Sequence, residues 1–204
     1  MVRNGDIVAA GASLIQFDAT LLNSELAIVR GQLHDIGARK ARLEAERVDA
    51  EEVVFPDWLV ALSDAEVRDL MRGQQELFEA RNASMAREAA QLTERRQQYE
   101  YEIEGVVAQL EALGTQQVLI GEDLVNQVSL LERGLTQSTR VSSLRREEAR
   151  LQGEIGGLRA TSAQLRGSVA EVNIELIKLQ TSRREAAITE LRDLEFREIE
   201  LTER

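Results

Sequence analysis

The sequence predicts a mainly α-helical protein: a long antiparallel coiled-coil hairpin, one additional helix before it, and a small β segment at the N-terminus. Apolar residues recur every seven positions over two long stretches, and a single glycine-containing turn separates the stretches. Such a repeat is the signature of a left-handed coiled coil. Aromatic residues make up only 3% of the chain and there is one proline, which is typical of extended helices.

The two heptad ladders enter the predicted turn at 134–138 from opposite sides. They predict helices over about 64–133 and 139–203. At 1.5 Å per residue these helices are roughly 105 Å and 98 Å long, so an antiparallel pair closes. Any bend is expected at a glycine within a helix, namely Gly105, Gly114, Gly121 or the pair Gly156-Gly157. The ladders are Met71, Phe78, Met85, Leu92, Tyr99, Val106, Leu113 and Ile120, then Leu144, Leu151, Leu158, Leu165, Val172, Leu179 and Ala186.

A third apolar heptad predicts a helix over about 19–51. Asp18 or Thr20 is expected to cap its start, and Pro56 to follow its end. A helix of this length cannot stand in line with the second helix and still let the third return to the base. We therefore expect it to pack beside the base of the hairpin as a third helix. The next helix is expected to begin at a capping box in which Ser63 and Glu66 bond reciprocally.

Net charge and residue content exclude several classes of protein. The formal net charge is −11, whereas binding to nucleic acid requires clustered Lys and Arg, so we expect no nucleic-acid partner. The absence of cysteine excludes disulfides and thiolate metal sites. No apolar run reaches the roughly 18 residues of a membrane-spanning helix.

No pattern in the sequence favours catalysis. His34 is the only histidine and has no sequence context that completes a catalytic arrangement. Carboxylates are abundant, but two packed helices offer no shared cleft that would separate their pKa values. The glycines form neither a P-loop nor a dinucleotide fingerprint. We expect a non-enzyme with no catalytic, cofactor-binding or metal-binding residues. Trp58 is either a docking residue or, more commonly for such a residue, one that packs its loop onto the helices.

The N-terminal 18 residues consist of short apolar runs broken by glycines, which predicts two or three brief strands. Their spacing resembles the first half of a biotinyl/lipoyl-like domain. Followed by a long helical hairpin, the chain resembles a periplasmic adaptor, or membrane fusion protein, of the hemolysin D type from type I secretion systems. The absence of lysine from this segment argues against a true lipoyl or biotinyl carrier. The motif residues are Val2, Gly5, Asp6, Val8, Gly11, Leu14 and Asp18.

The resemblance implies an arrangement of domains and a set of partners. Residues 1–18 would be the lipoyl-like half-motif and 19–204 the helical domain. The partners would be an inner-membrane ABC transporter, an outer-membrane TolC-like channel, and further copies of the protein in a hexameric ring. The protein would lie in the periplasm, anchored to the inner membrane. We expect the chain to be part of a longer protein that also carries the anchor, the second lipoyl half and a β-barrel.

The hairpin tip is the candidate contact with the channel. Adaptors of related drug-efflux systems carry an Arg-x3-Leu-x6-Ser pattern there. Gln127, Leu131 and Ser138 match the spacing, with glutamine in place of arginine. Because Gln127 and Leu131 also continue the apolar ladder, coincidence with the heptad stays open. The candidate site residues are Gln127, Leu131, Arg133, Gly134, Leu135 and Ser138.

Two alternatives accompany the type I secretion adaptor. A drug-efflux adaptor is a close variant, against which the extra first helix and the insertion at 55–58 favour the secretion branch. A cytoplasmic coiled-coil scaffold would dimerise through parallel helices and pair Leu144 with its counterpart. Residues 2–18 argue against the scaffold, which has no use for half a β domain.

Overall fold

The computed structural model describes residues 7, 9–10 and 19–203, and helices dominate this part of the chain. The helices are α1 (Thr20–Val48), α2 (Asp57–Val60), α3 (Ala65–Glu132) and α4 (Ser138–Thr202). The predicted mainly α hairpin with an additional N-terminal helix is confirmed, and the one-turn helix α2 is an unpredicted addition. The predicted β half-motif at 1–18 lies outside the described residues, apart from Ile7, Ala9 and Ala10.

The long helices run without interruption through every glycine at which a bend was expected. The chain divides into two compact units. The first comprises Met1–Asn82 and Ser182–Arg204, and the second comprises Ala83–Thr181. Helices α3 and α4 therefore each contribute to both units, whereas α1 and α2 belong to the first.

In the first unit, the C-terminal half of α1 packs against both long helices. Leu43 is fully buried against Leu191 and Leu194 of α4. On the other side of α1, Ala41 and Ala45 bury Phe78 of α3. Helix α1 is therefore the third helix that the sequence predicted beside the hairpin.

The predicted ladder on α4 shifts its phase where α1 joins the bundle. Ala186 is exposed, and the buried positions are instead Ala187, Leu191 and Leu194. Placing Ala186 in the core was thus wrong. With two partners in this unit, α4 buries the face that meets α1 as well as the face that meets α3.

The helix starts differ from the predicted caps. The N-cap position of α1 is Ala19, so Thr20 is the first helical residue and not the predicted N-cap, whereas Asp18 lies outside the described residues. At the start of α3, the backbone N–H of Glu66 donates to the Asp64 carboxylate at 3.0 Å. Asp64 is therefore the capping residue, in place of the predicted Ser63. A carboxylate suits this position because the first amides of a helix lack partners and carry partial positive charge.

The connection between α1 and α3 folds back along α1. Leu59 of α2 is fully buried with Ala38 of α1 and Val67 of α3. Trp58 lies on α1 at the position of Gly37, where an added Cβ would come within 2.6 Å of the indole. Its ring centroid lies 6.2 Å from that of His34. Trp58 thus packs the connection onto α1 while its side chain stays half exposed.

A buried ion pair joins the helices of the first unit. Arg42 and Glu46, one turn apart on α1, are only 3% and 4% exposed and their side chains meet at 2.5 Å. Arg42 also donates to Gln74 at 2.8 Å and lies 3.7 Å from Glu190 of α4. Arg81 of α3 pairs with Glu46 at 3.0 Å. The network therefore connects α1 to both α3 and α4.

The second unit is the two-helix coiled coil. Its buried positions on α4 include Leu144, Leu151 and Ile155, at the predicted heptad spacing. Arg95 lies 3.6 Å from Glu175, and Arg96 donates to Asn173 at 3.4 Å. As the residue number increases along α3, the number of the facing residue on α4 decreases, so these contacts show the antiparallel register.

Candidate functional site at the hairpin tip

The end of α3 is closed by a pair of backbone hydrogen bonds. The N–H of Gly134 donates to the carbonyl of Leu131 at 2.9 Å, and the N–H of Leu135 donates to that of Leu130 at 2.8 Å. Gly134 has a φ of 72°, in the left-handed region that side chains disfavour. This is a Schellman motif, which gives partners to helix-terminal carbonyls that would otherwise lack them. Gly134 thus sets the direction in which the chain leaves α3.

A side-chain hydrogen bond ties the turn back to α3. The Thr136 hydroxyl donates to the Gln127 side-chain oxygen at 3.0 Å, across nine positions of the sequence. Gln127 is half-buried, so its amide is engaged within the tip. Directly before α4, the backbone carbonyl of Gln137 accepts from the N–H of Arg140 at 3.0 Å. Both ends of the turn are therefore held by specific bonds.

The six candidate residues differ in how far they are presented to solvent. Leu135 is 70% exposed although it is a large apolar side chain. Arg133, Gly134 and Ser138 are exposed as well, whereas Leu131 is half-buried. The turn accordingly presents one apolar side chain and one cation, while Gln127 and Leu131 support it from the last turns of α3.

Sequence reasoning missed Thr136 as part of this site. The only available signal was its place directly after the glycine and apolar pair that leave the helix. A heptad pattern does not show which polar side chain folds back. In contrast, the sequence correctly predicted that the helix ends at Gly134, because a glycine just past a long apolar repeat is the usual helix terminator.

Charges on the helix leading away from the tip are locally paired. Arg150 donates to Glu147 at 2.5 Å and to Glu154 at 2.6 Å, all on α4. The hydrogen bond from Arg150 lowers the pKa of the Glu147 carboxyl. In the part of the chain that the structure describes, no group of His, Cys, Asp and Glu side chains has the arrangement of a metal site. Within the same residues, no helix is long and apolar enough to cross a membrane.

The hairpin matches a known family. A family model described as "AprE, long alpha-helical hairpin" matches residues 22–204. The chain is 35% identical over 205 residues to the type I secretion system membrane fusion protein PrsE of Rhizobium meliloti (strain 1021). This alignment covers 100% of the chain and 47% of PrsE, so the chain spans about half the length of that relative.

The fold is also found in a solved structure. The soluble domain of LipC, a membrane fusion protein of a type I secretion system, superposes with a TM-score of 0.86 over 95% of this chain and 91% of that one. Sequence identity is 18%, so this comparison shows the fold alone. The family match covers nearly the whole of the described helices. The chain therefore belongs to the AprE family of long α-helical hairpins, and its resemblance to the membrane fusion proteins of type I secretion systems is confirmed.

Proposed function

We propose that this chain is the helical domain of a periplasmic adaptor that connects an inner-membrane ABC exporter to an outer-membrane TolC-like channel in type I protein secretion. Membership of the AprE hairpin family is the observation that carries the proposal. Identity to PrsE over the full chain supports the secretion branch over a drug-efflux adaptor. The adaptor performs no catalysis. Its partners are the exporter, the channel and further copies of itself in a hexameric ring.

The tip is proposed to dock the channel. Leu135 is the most exposed apolar group of the turn, and Arg133 lies two positions before it. Burying Leu135 against a partner removes apolar surface from water, and Arg133 supplies a cation for carboxylates or carbonyls of the channel. The Schellman motif and the Thr136–Gln127 bond support this role because a rigid turn loses little conformational entropy on binding.

A cytoplasmic scaffold is disfavoured by the packing of the chain. Such a dimer would pair Leu144 with Leu144 of a second copy. Leu144 is instead buried within one chain, by the antiparallel hairpin. The seam that a parallel dimer needs is thus already occupied.

Leu135→Asp in the full-length protein tests the docking proposal. We expect the amount of secreted substrate in the medium to fall several-fold, because a carboxylate resists burial in an apolar contact. Leu135 is exposed, so the level and helicity of the protein should not change. Leu77→Asp, at another exposed leucine of α3 far from the turn in sequence, is the matched control and should secrete normally.

A photo-crosslinker at position 135 provides the direct readout. The proposal expects an adduct with the outer-membrane channel. Wild-type secretion by Leu135→Asp, together with no channel adduct at position 135, would reject docking through this residue.

A further inference from the structure

Helix α4 carries a second heptad stripe on its outer face. The stripe keeps spacings of four and three residues over 28 positions, and all nine of its residues are exposed. At 3.6 residues per turn it lies about 150° round the helix from the seam that packs on α3. All but the last two side chains are alanine or glycine. The members are Ala149, Gly153, Gly156, Ala160, Ala163, Gly167, Ala170, Ile174 and Ile177.

Helix α3 has an unpartnered apolar face at the same level of the second unit. Val107, Val118 and Val125 are exposed there, and Val118 and Val125 are 61% and 70% exposed. Glu111, Gly114 and Gly121 lie between the valines, and all six residues follow the same alternating spacings of four and three. Glu111 is the only charged residue of this row. The valine side chains project as knobs that can insert into a second helix, and the glycines between them leave space for that helix to approach.

Among the residues that the structure describes, no packing contact accounts for these glycines. A Cβ added at any of Gly114, Gly121, Gly153, Gly156 or Gly167 would meet no heavy atom within 4 Å. Each glycine in a helix interior is less favourable than alanine by roughly 1 kcal/mol. Close approach of a helix from another molecule gives the missing reason for them.

The charges around the two faces are opposite. Residues 100–132 of α3 contain seven acidic residues and neither lysine nor arginine. Residues 138–170 of α4 contain six arginines and three glutamates. The structure describes both ranges completely, and no ion pair between them joins α3 to α4. Glu100 pairs with Arg96 on α3, and Arg150 pairs with Glu147 and Glu154 on α4. The other charges of these two ranges make no ion pair and are therefore available to another molecule.

We propose that the apolar face of α3 packs against the small-residue stripe of α4 in a second copy of this protein. The contact is heterologous, because each copy offers an acidic apolar face on one helix and a basic small-residue face on the other. Such a contact repeats from copy to copy and closes into a ring when the rotation permits. This contact rests on the proposed ring of adaptors packed side by side, and it specifies which surfaces of neighbouring copies meet.

The register of the hairpin predicts which residues face each other. Within one chain Arg95 lies opposite Glu175 and Arg96 opposite Asn173. When neighbouring copies stand at the same height, each residue of α3 in one copy lies level with the same α4 residue in the next copy as it does within one chain. Val118 then faces Gly153, and Glu111 lies level with Arg159.

Paired cysteines test the contact in the full-length protein, since this chain contains none of its own. Val118→Cys and Gly153→Cys are placed on two differently tagged copies that are expressed together. Oxidation is expected to give a covalent dimer that carries both tags, because a disulfide requires Cα atoms about 4.4–6.8 Å apart. Each variant expressed alone should give none.

Gln116→Cys combined with Gly153→Cys is the matched control. Gln116 is exposed and only two positions from Val118, but it lies on the other side of α3. The control should cross-link weakly. Equal yields from the two combinations would overturn the proposal. A dimer formed by Val118→Cys alone would also overturn it, because that would indicate a symmetric contact. The absence of any dimer would overturn it as well and would leave the two faces to another partner.

Charge reversal gives a second, independent measurement. Glu111→Arg should lower the yield of the mixed disulfide by roughly threefold, the effect of one exposed ion pair. Adding Arg159→Glu to the other copy should restore it. Lack of restoration would count against the α3–α4 register.

This readout does not depend on the channel. A mixed disulfide formed in cells that lack the channel supports the contact even if Leu135 proves dispensable for secretion. Loss of secretion in Leu135→Asp with no mixed disulfide would support docking and reject the contact.

Discussion

At the scale of single residues, the contact between Gly37 and Trp58 explains two features that appear unfavourable in the sequence. A glycine in mid-helix weakens α1, and a tryptophan in a short connection exposes a large apolar ring. The structure places the ring where a side chain at position 37 would stand. The glycine thus makes room for the residue that holds the connection on α1.

Gly37→Ala is expected to displace the indole of Trp58, because the new Cβ would lie 2.6 Å from it. Trp58 is the only tryptophan, so its fluorescence reports the change. We expect red-shifted emission and stronger quenching by acrylamide. Gly31→Ala is the control on the same helix, where a Cβ meets nothing within 4 Å. It should leave the emission unchanged and raise the free energy of unfolding by about 1 kcal/mol. Identical spectra for the two variants would contradict this packing.

At the scale of elements, the Arg42–Glu46 pair specifies how α1 sits between the long helices. Removing both charges from water is unfavourable, so such a pair contributes more to a unique arrangement than to stability. Its further contacts with Gln74, Arg81 and Glu190 extend the pair to α3 and α4. Apolar packing alone, through residues such as Leu43, would tolerate small shifts of α1 along the bundle.

Glu46→Ala is expected to lower the free energy of unfolding by about 3 kcal/mol, because it leaves the Arg42 guanidinium buried without its carboxylate. Urea unfolding followed by circular dichroism measures the change. Asp69→Ala removes the exposed Asp69–Arg72 pair and should change the same quantity by less than about 0.5 kcal/mol.

The double replacement Arg42→Met with Glu46→Leu should recover most of the loss, since it removes both charges. If Glu46→Ala were as stable as Asp69→Ala, the pair would not be buried in solution as the structure has it.

At the scale of the whole molecule, α1 brings the two ends of the long hairpin together. Val67, near the start of α3, belongs to the cluster around Ala38 of α1. Leu201, near the end of α4, packs on the cluster that contains Ile36, two positions away on α1. The start of α3 and the end of α4 therefore meet in the first unit.

Spin labels at Asp64 and Glu203 test this closure. Both positions are exposed, and the absence of other cysteines makes the labelling specific. Double electron–electron resonance is expected to give a separation of at most a few nanometres. If the two long helices did not fold back on one another, the labels would lie roughly 200 Å apart, at 1.5 Å per residue. A distance beyond the range of the method would therefore disprove the hairpin, and with it the proposal that the turn is a docking site.

The candidate site was only partly predictable. Gly134 marks the turn because it ends a long apolar repeat, and Leu135 follows from its place beside it. That Gln127 supports the turn through Thr136, with its amide engaged inside the tip, depends on how the chain folds back. Whether Leu131 serves the seam or a partner was equally open, and the structure leaves it half-buried.

The sequence by itself determined the helices, their antiparallel pairing and the position of the turn, because a seven-residue apolar repeat is a local record of one buried helix face. Tertiary structure alone decided the phase shift from Ala186 to Ala187, the buried Arg42–Glu46 pair and the seat of Trp58 on Gly37. These features depend on residues far apart in the chain. The heptad tells which face of a helix is buried in a two-helix coil, but not which other face a third helix will cover.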